Sequence, residues 1–173
     1  MITRLVEDIE ASRRRFLDTV GALAPEAVAA PVDEGRWSPI EYLEHLVRAE
    51  EATLWRMFKA VEDWRTSGEA LRSPTPDSRI EEIVDRTWSP REEAPPLAMP
   101  TLGSSIAYWR ERMRRNTALV SAFADLVSEE ELDELAYPHP ISGPFTLRQG
   151  LEFIRFHIDR HRAHILEALP ASA

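Results

Sequence analysis

Apolar residues recur at intervals of three and four along most of the chain, the period of an amphipathic helix. Residues 2–23 place Ile2, Leu5, Ile9, Phe16 and Val20 on one stripe, with Arg13, Arg14 and Arg15 assigned to the solvated side. Residues 38–64 repeat the pattern with Ile40, Leu43, Val47, Leu54, Met57 and Val61. This second segment starts sharply. Ser38-Pro39-Ile40-Glu41 combines a capping serine, proline at the first helical position and glutamate three residues after the cap. A third segment covers residues 102–126. A fourth spans residues 146–169, opened by the capping box Thr146-Leu147-Arg148-Gln149 and closed before Pro170. No strand-like alternation persists for more than a few residues.

Between the second and third segments lies a long connection, residues 66–100. It holds a short helical piece at 78–86 and then a proline-rich stretch from Ser89 to Pro96. Such a length suits a crossover between bundle ends that are not adjacent. A weaker helical turn at 128–131 follows the third segment. Tyr137-Pro138-His139-Pro140-Ile141-Ser142-Gly143-Pro144 is expected to be a rigid loop. The predicted architecture is all-α: a four-helix bundle with one long crossover between helices two and three, in a single domain over residues 1–173. A looser all-α domain of five or six helices is the alternative.

Composition narrows the function. A chain of 173 residues suits one domain with a sizeable core. With no cysteine, the chain has no disulfide framework, cysteine-held zinc, Fe–S cluster or cysteine nucleophile. Lys+Arg is 21 against Asp+Glu 30, a net charge of −9, which disfavours nucleic acid as a general partner. The opening residues are charged every few positions and lack the apolar core of a signal peptide. No apolar run is long enough to span a membrane. A soluble, cytoplasmic protein is the expectation.

The histidines carry the candidate chemistry. His157, His161 and His164 lie close together in the fourth segment. His157 and His161 are four apart, so they project from one helix face, a spacing that lets two imidazoles share a metal ion or simply pack as a pair. His161 continues the stripe of Leu147, Leu151, Ile154, Ile158 and Ile165, and His157 borders it. His45 is the other histidine on a long helix. It sits about 40° from Ala49 around the helix, on the shoulder of the apolar arc. A solvated position and a ligand role both remain open for it. Neither His-Glu-x-x-His nor the Glu-x-x-His pair of di-iron bundles is present.

Two stretches carry a family resemblance. The first is Arg36-Trp37-Ser38-Pro39-Ile40-Glu41-Tyr42-Leu43-Glu44-His45-Leu46, with Glu50 and Glu51 behind it. The second runs from His139-Pro140 through Gly143-Pro144 and Thr146 to His157, Arg160, His161 and His164. Together, and in this order, they resemble the second-helix and fourth-helix signatures of the DinB-like superfamily. The resemblance covers essentially the whole chain and implies a four-helix bundle. It also implies a divalent metal held by His45, His157 and His161. His164 then belongs to the pocket or behind a ligand, and His139 to a structural His-Pro loop.

Three neutral imidazoles leave an ion its full charge and an open position, the arrangement of a catalytic site. Zinc suits it, and nickel or another first-row ion is an alternative. The ion could activate water or a thiol. The resemblance favours the second: a transferase using a low-molecular-weight thiol such as bacillithiol or mycothiol against a small-molecule electrophile. A metal-dependent hydrolase and a non-catalytic, stress-related binding bundle are the alternatives, and a homodimer is implied only by resemblance. Glu41, Glu50 and Glu152 are candidate acceptors for the free ring nitrogens, with capping the favoured role for Glu41 and plain surface the alternative for Glu152. Trp37, Tyr42, Trp109 and the crossover from Trp88 to Pro100 are candidate pocket walls. Arg110, Arg112, Arg114 and Arg115 form either a solvated face or a recognition site for a carboxylate.

Overall fold

The computed structural model describes residues 1–89 and 94–168. Its helices are α1 (Ile2–Gly21), α2 (Pro25–Ala29), α3 (Pro39–Ser67), α4 (Ile80–Thr87), α5 (Ile106–Leu126), α6 (Glu129–Glu134) and α7 (Leu147–Ala168). A single 3-10 turn covers Pro96–Ala98. Two short strands, β1 (Ala136–His139) and β2 (Gly143–Thr146), complete the order before α7.

Local chemistry sets the helix ends. The Ser38 hydroxyl accepts from the Glu41 amide, and the Glu41 carboxylate accepts from the Ser38 amide at 2.7 Å, closing the predicted box. α3 continues past the expected end to Gly68, which takes the left-handed conformation (φ 74°) that stops a helix cheaply. α5 begins at the Ser105 cap and not at Leu102. The Leu102 and Gly103 amides are instead held by the Glu44 carboxylate at 2.7 and 3.0 Å. At α7, Thr146 and Gln149 cap one another reciprocally at 2.9 and 3.0 Å, as their spacing predicts. The Gln149 amide also donates to the Thr75 and Ser78 carbonyls, tying the long connection to the start of α7.

The four long helices α1, α3, α5 and α7 form the bundle, arranged around the core in the order α1, α5, α3, α7. Helices consecutive in the chain are not uniformly neighbours: α1 faces α3 across the diagonal, and α5 faces α7. Side-chain pairs fix the directions. Arg112 reaches Glu51 at 2.5 Å, and Arg65 reaches the Leu126 carbonyl at 2.8 Å, so α3 and α5 run parallel. Ser12 binds Asp159 at 3.0 Å and Arg162 binds Thr19 at 2.9 Å, so α1 and α7 run parallel. α3 and α7 are antiparallel, with His45 beside His157 and Met57 beside Gly150. A Cβ on Gly150 would lie 2.7 Å from the Tyr137 ring, so only glycine permits this approach. The long connection joins opposite ends of the bundle, as expected.

The stripes read from the sequence form the core. Ile9, Phe16, Leu43, Val47, Leu54, Met57, Leu151 and Ile165 are all fully or nearly fully buried. Two expectations are corrected. The His-Pro segment is a β-hairpin, with Tyr137 opposite Phe145 and His139 opposite Gly143. Arg13 is not solvated: it is 2% exposed and pairs with Glu50, itself 4% exposed, across the diagonal. Glu10 and Thr117 also contact Arg13, and Asn116 donates to Glu50 at 3.2 Å. Among the described residues, no helix is long and apolar enough to cross a membrane.

Breaking a buried ion pair on one side strands the other charge. Arg13→Met, which leaves the buried Glu50 carboxylate with only Asn116, is therefore expected to lower the unfolding free energy by about 3–5 kcal/mol in urea titrations. The double variant Arg13→Met, Glu50→Leu, which removes both charges, is expected to recover most of that loss.

Candidate metal centre

α3 and α7 lie side by side and antiparallel, so the second turn of α3 faces the middle of α7. This apposition brings His45, His157 and His161 together. His157 Nε2 lies 3.1 Å from His45 Nε2 and 2.9 Å from His161 Nε2. All three nitrogens fall within 4.8 Å of one another. The rings are buried, with Trp37 4.7 Å from His45, Tyr42 4.9 Å from His161, and Phe153 stacked on His157 at 5.1 Å. His45 thus faces inward, resolving the position that helical periodicity left open.

Burial decides the protonation state. It pushes the His45 pKa down to about 4, although the Ala98 carbonyl opposes the shift. His157 and His161 are held well below the ordinary histidine value by burial, with the charge of His45 adding to it at His157 and that of His157 at His161. All three are uncharged at neutral pH, the form that binds metal. His45 Nδ1 lies 2.8 Å from the Ala98 carbonyl, an acceptor, so this nitrogen carries the proton and Nε2 offers its lone pair inward.

The donor set fits a cation. Nitrogens around a tetrahedral zinc stand about 3.3 Å apart when each Zn–N bond is about 2.0–2.1 Å. Without a cation, two close N···N contacts meet at His157 Nε2, which has one proton or one lone pair to offer both. His161 Nδ1 is buried without a partner. A divalent ion would satisfy all three inward lone pairs together. Three imidazoles alone leave its coordination incomplete on the side of the cavity.

That cavity has a volume of about 690 Å³ and is lined by all five histidines. Its other walls come from α3, the end of α4, the 3-10 turn, the hairpin tip and α7. Trp37, Tyr42 and His164 line it, as the sequence suggests, and so do Trp88 and Ala94 to Met99 apart from Pro96. Pro90 of the proposed crossover wall lies outside the described residues. His139 lines the cavity as well, but its ring is pinned. Nδ1 accepts from the Ser142 amide at 3.1 Å, and Phe145 stacks on it at 4.6 Å.

Other expectations are corrected. Trp109 is fully buried in the core and does not line the cavity, because α5 lies diagonal to α7. Glu41 is committed to its capping box and Glu50 to Arg13, so neither backs a histidine. Glu152 sits among Arg148, Glu81, Arg155 and Asp133, and burial raises its pKa. The acceptor behind His45 is a backbone carbonyl. On α5, Arg112 pairs with Glu51, and Arg114 and Arg115 pair with Glu111, all away from the cavity. The arginines that do line it are Arg36, Arg56 and Arg160. Helical phase could have found two of them. Arg56 is eleven residues after His45, about 20° away around α3, and Arg160 is three after His157.

Histidines kept neutral by burial take up protons more readily unfolded than folded. Their stabilising effect is complete above pH 6.5 and is lost as the pH falls toward the folded value, about 4 for His45 and His139. Metal-free protein is expected to lose stability between those pH values, on the order of 3 kcal/mol for each such residue. Urea midpoints measured across the range check this, and a flat profile would contradict it.

A family model described as the DinB superfamily matches residues 8–165. No curated protein sequence matches at a significant level. Among solved structures, YfiT from Bacillus subtilis superposes with a TM-score of 0.67 at 14% identity, covering 96% of this chain and 85% of that one. It is described as a probable metal-dependent hydrolase with an unusual four-helix bundle topology. The four-helix bundle protein TT2238 gives a TM-score of 0.64 at 16% identity, covering 96% of this chain and 99% of the other. A protein from Enterococcus faecalis gives 0.60 at 13% identity, with 97% and 94% covered. These likenesses share the fold. With the family model spanning nearly all of its length, this chain belongs to the DinB superfamily.

Proposed function

We propose that the protein is a metal-dependent enzyme that transfers a low-molecular-weight thiol, of the bacillithiol or mycothiol kind, to a small electrophile. The supporting observation is the convergence of three buried, uncharged imidazoles beside a cavity of about 690 Å³. His45, His157 and His161 would hold zinc or nickel. When bound, the ion supplies Lewis acidity that favours the deprotonated form of a thiol or water at its free position.

The chain's own residues do the rest. The Ala98 carbonyl keeps the His45 proton on Nδ1 and the ring in orientation. Trp37, Tyr42 and Trp88 offer ring surface to an apolar group. The 3-10 turn and the hairpin tip wall the cavity opposite α3 and α7 through Leu97, Ala98, Pro140 and Ile141. The thiol comes from solution, since the chain has no cysteine. The resemblance of the two helix signatures to DinB-like bundles favours a thiol nucleophile over water, and either must give up a proton. A hydrolase is the second reading, favoured by the description of the YfiT structure, with His164 as the base that faces the cavity.

Elemental analysis of tag-free protein is expected to find about one divalent ion per chain, lost in both His157→Ala and His161→Ala. The loaded protein is then expected to consume a model electrophile such as 1-chloro-2,4-dinitrobenzene only when a thiol is added. Ester hydrolysis without thiol would assign the second reading. No ion in the parent, even after zinc or nickel is supplied, would overturn both and leave a bundle whose histidines serve packing or ligand binding.

A further inference from the structure

The net charge of the chain is −9, yet its cavity is positive. Arg36, Arg56 and Arg160 line it, and no aspartate or glutamate does among the described residues. Arginines elsewhere are largely neutralised: Arg13, Arg48, Arg65, Arg112, Arg148 and Arg155 each hold an acidic partner. Among the described residues, none of the three cavity arginines has an ion-pair partner. Arg56 donates one hydrogen bond, to the Ala52 carbonyl one turn back on its own helix, at 2.9 Å. The Arg160 guanidinium lies 5.6 Å from the centre of the Trp88 ring, a stacking that orients its fork without using its N–H groups. Arg160 is adjacent to His161 in the chain, and Arg36 sits at the exposed rim beside Trp37. Both charges act on His164, which also lines the cavity. Arginines that line an aromatic-walled cavity, with no carboxylate partner among the described residues, match one chemistry: a planar anion that accepts paired hydrogen bonds, attached to an apolar body.

We propose that the cavity selects a substrate bearing a carboxylate or another oxyanion, bound by Arg160 and Arg36, with its apolar part against Trp37, Tyr42 and Trp88. Arg56, on the far side near His139, offers a second anionic contact. This deepens the enzymatic reading above by naming the substrate class of the same site. The recognition itself needs only the arginines.

The test uses phenylacetate and its uncharged counterpart phenylacetamide. Binding is followed by tryptophan fluorescence and calorimetry on protein of measured metal content, before and after chelation. Phenylacetate is expected to bind at least roughly tenfold more tightly, as charge-assisted hydrogen bonds require. That preference should survive chelation and fade with salt. It should fall in Arg160→Gln and in Arg36→Gln, be partly kept in Arg160→Lys, and persist in Arg110→Gln, which lies off the cavity. Arg36 is exposed, so its variant is informative even if Arg160→Gln fails to fold. Equal binding of the two probes would overturn the inference. So would a preference lost on chelation but indifferent to the arginine variants, since the ion would then be the sole recognition element. Metal content, measured separately, reports on the metal-dependent reading whatever the probes do.

Discussion

Two neighbouring helices that run parallel cannot be joined by a tight turn. α3 and α5 are such a pair, so the chain must travel back along the bundle before α5 can begin. That return path is the source of much of the site. It carries α4 and Trp88 against α7, and it lays the 3-10 turn along α3 so that the Ala98 carbonyl meets His45. A bundle of the same four helices joined up-down-up-down would have short loops and an open groove. Here the connection that the topology demands also forms the cavity wall and fixes one imidazole.

The polar content of the interior falls into two unlike groups. At the diagonal between α1 and α3, Arg13 and Glu50 cancel one another, and Asn116 and Thr117 take up further hydrogen bonds. Removing both charges there is tolerable, because each exists for the other. The histidine cluster is different. Its members are neutral and converge through their Nε2 atoms, and among the described residues the outward His161 Nδ1 has no partner. A divalent ion held there would keep its full charge, since none of the three residues is anionic. Arg36, Arg56 and Arg160 add to that positive character. The described lining of the cavity is therefore basic, in a chain whose net charge is −9.

Much of this was legible in the sequence, and the reasons are specific. The four long helices followed from apolar periodicity, and the capping boxes at Ser38 and Thr146 marked two starts correctly. His157 and His161 were readable because a spacing of four puts side chains on one face. The hairpin was not readable. Its strands are four residues each, and prolines at 138, 140 and 144 mimic a loop. Arg13 was misplaced because a charged residue flanked by two other arginines reads as surface, while its partner Glu50 is 37 positions away. The Ala98 carbonyl leaves no trace in sequence, since every residue has one. Trp109 was assigned to the pocket from its aromatic character. Only the diagonal placement of α5 shows that it belongs to the core.

The most extensive helix contact in the bundle joins α1 to α7, the first element to the last of those described. During synthesis, the apolar stripe of α1 therefore waits for its main neighbour until nearly all of the chain has emerged. The same holds for His45, whose partners lie 112 residues downstream. Loop closure over such distances is slow, and a chain with its stripe uncovered is exposed to aggregation meanwhile. A truncation within α7 would then remove the site and also leave the stripe of α1 with α5 alone to cover it.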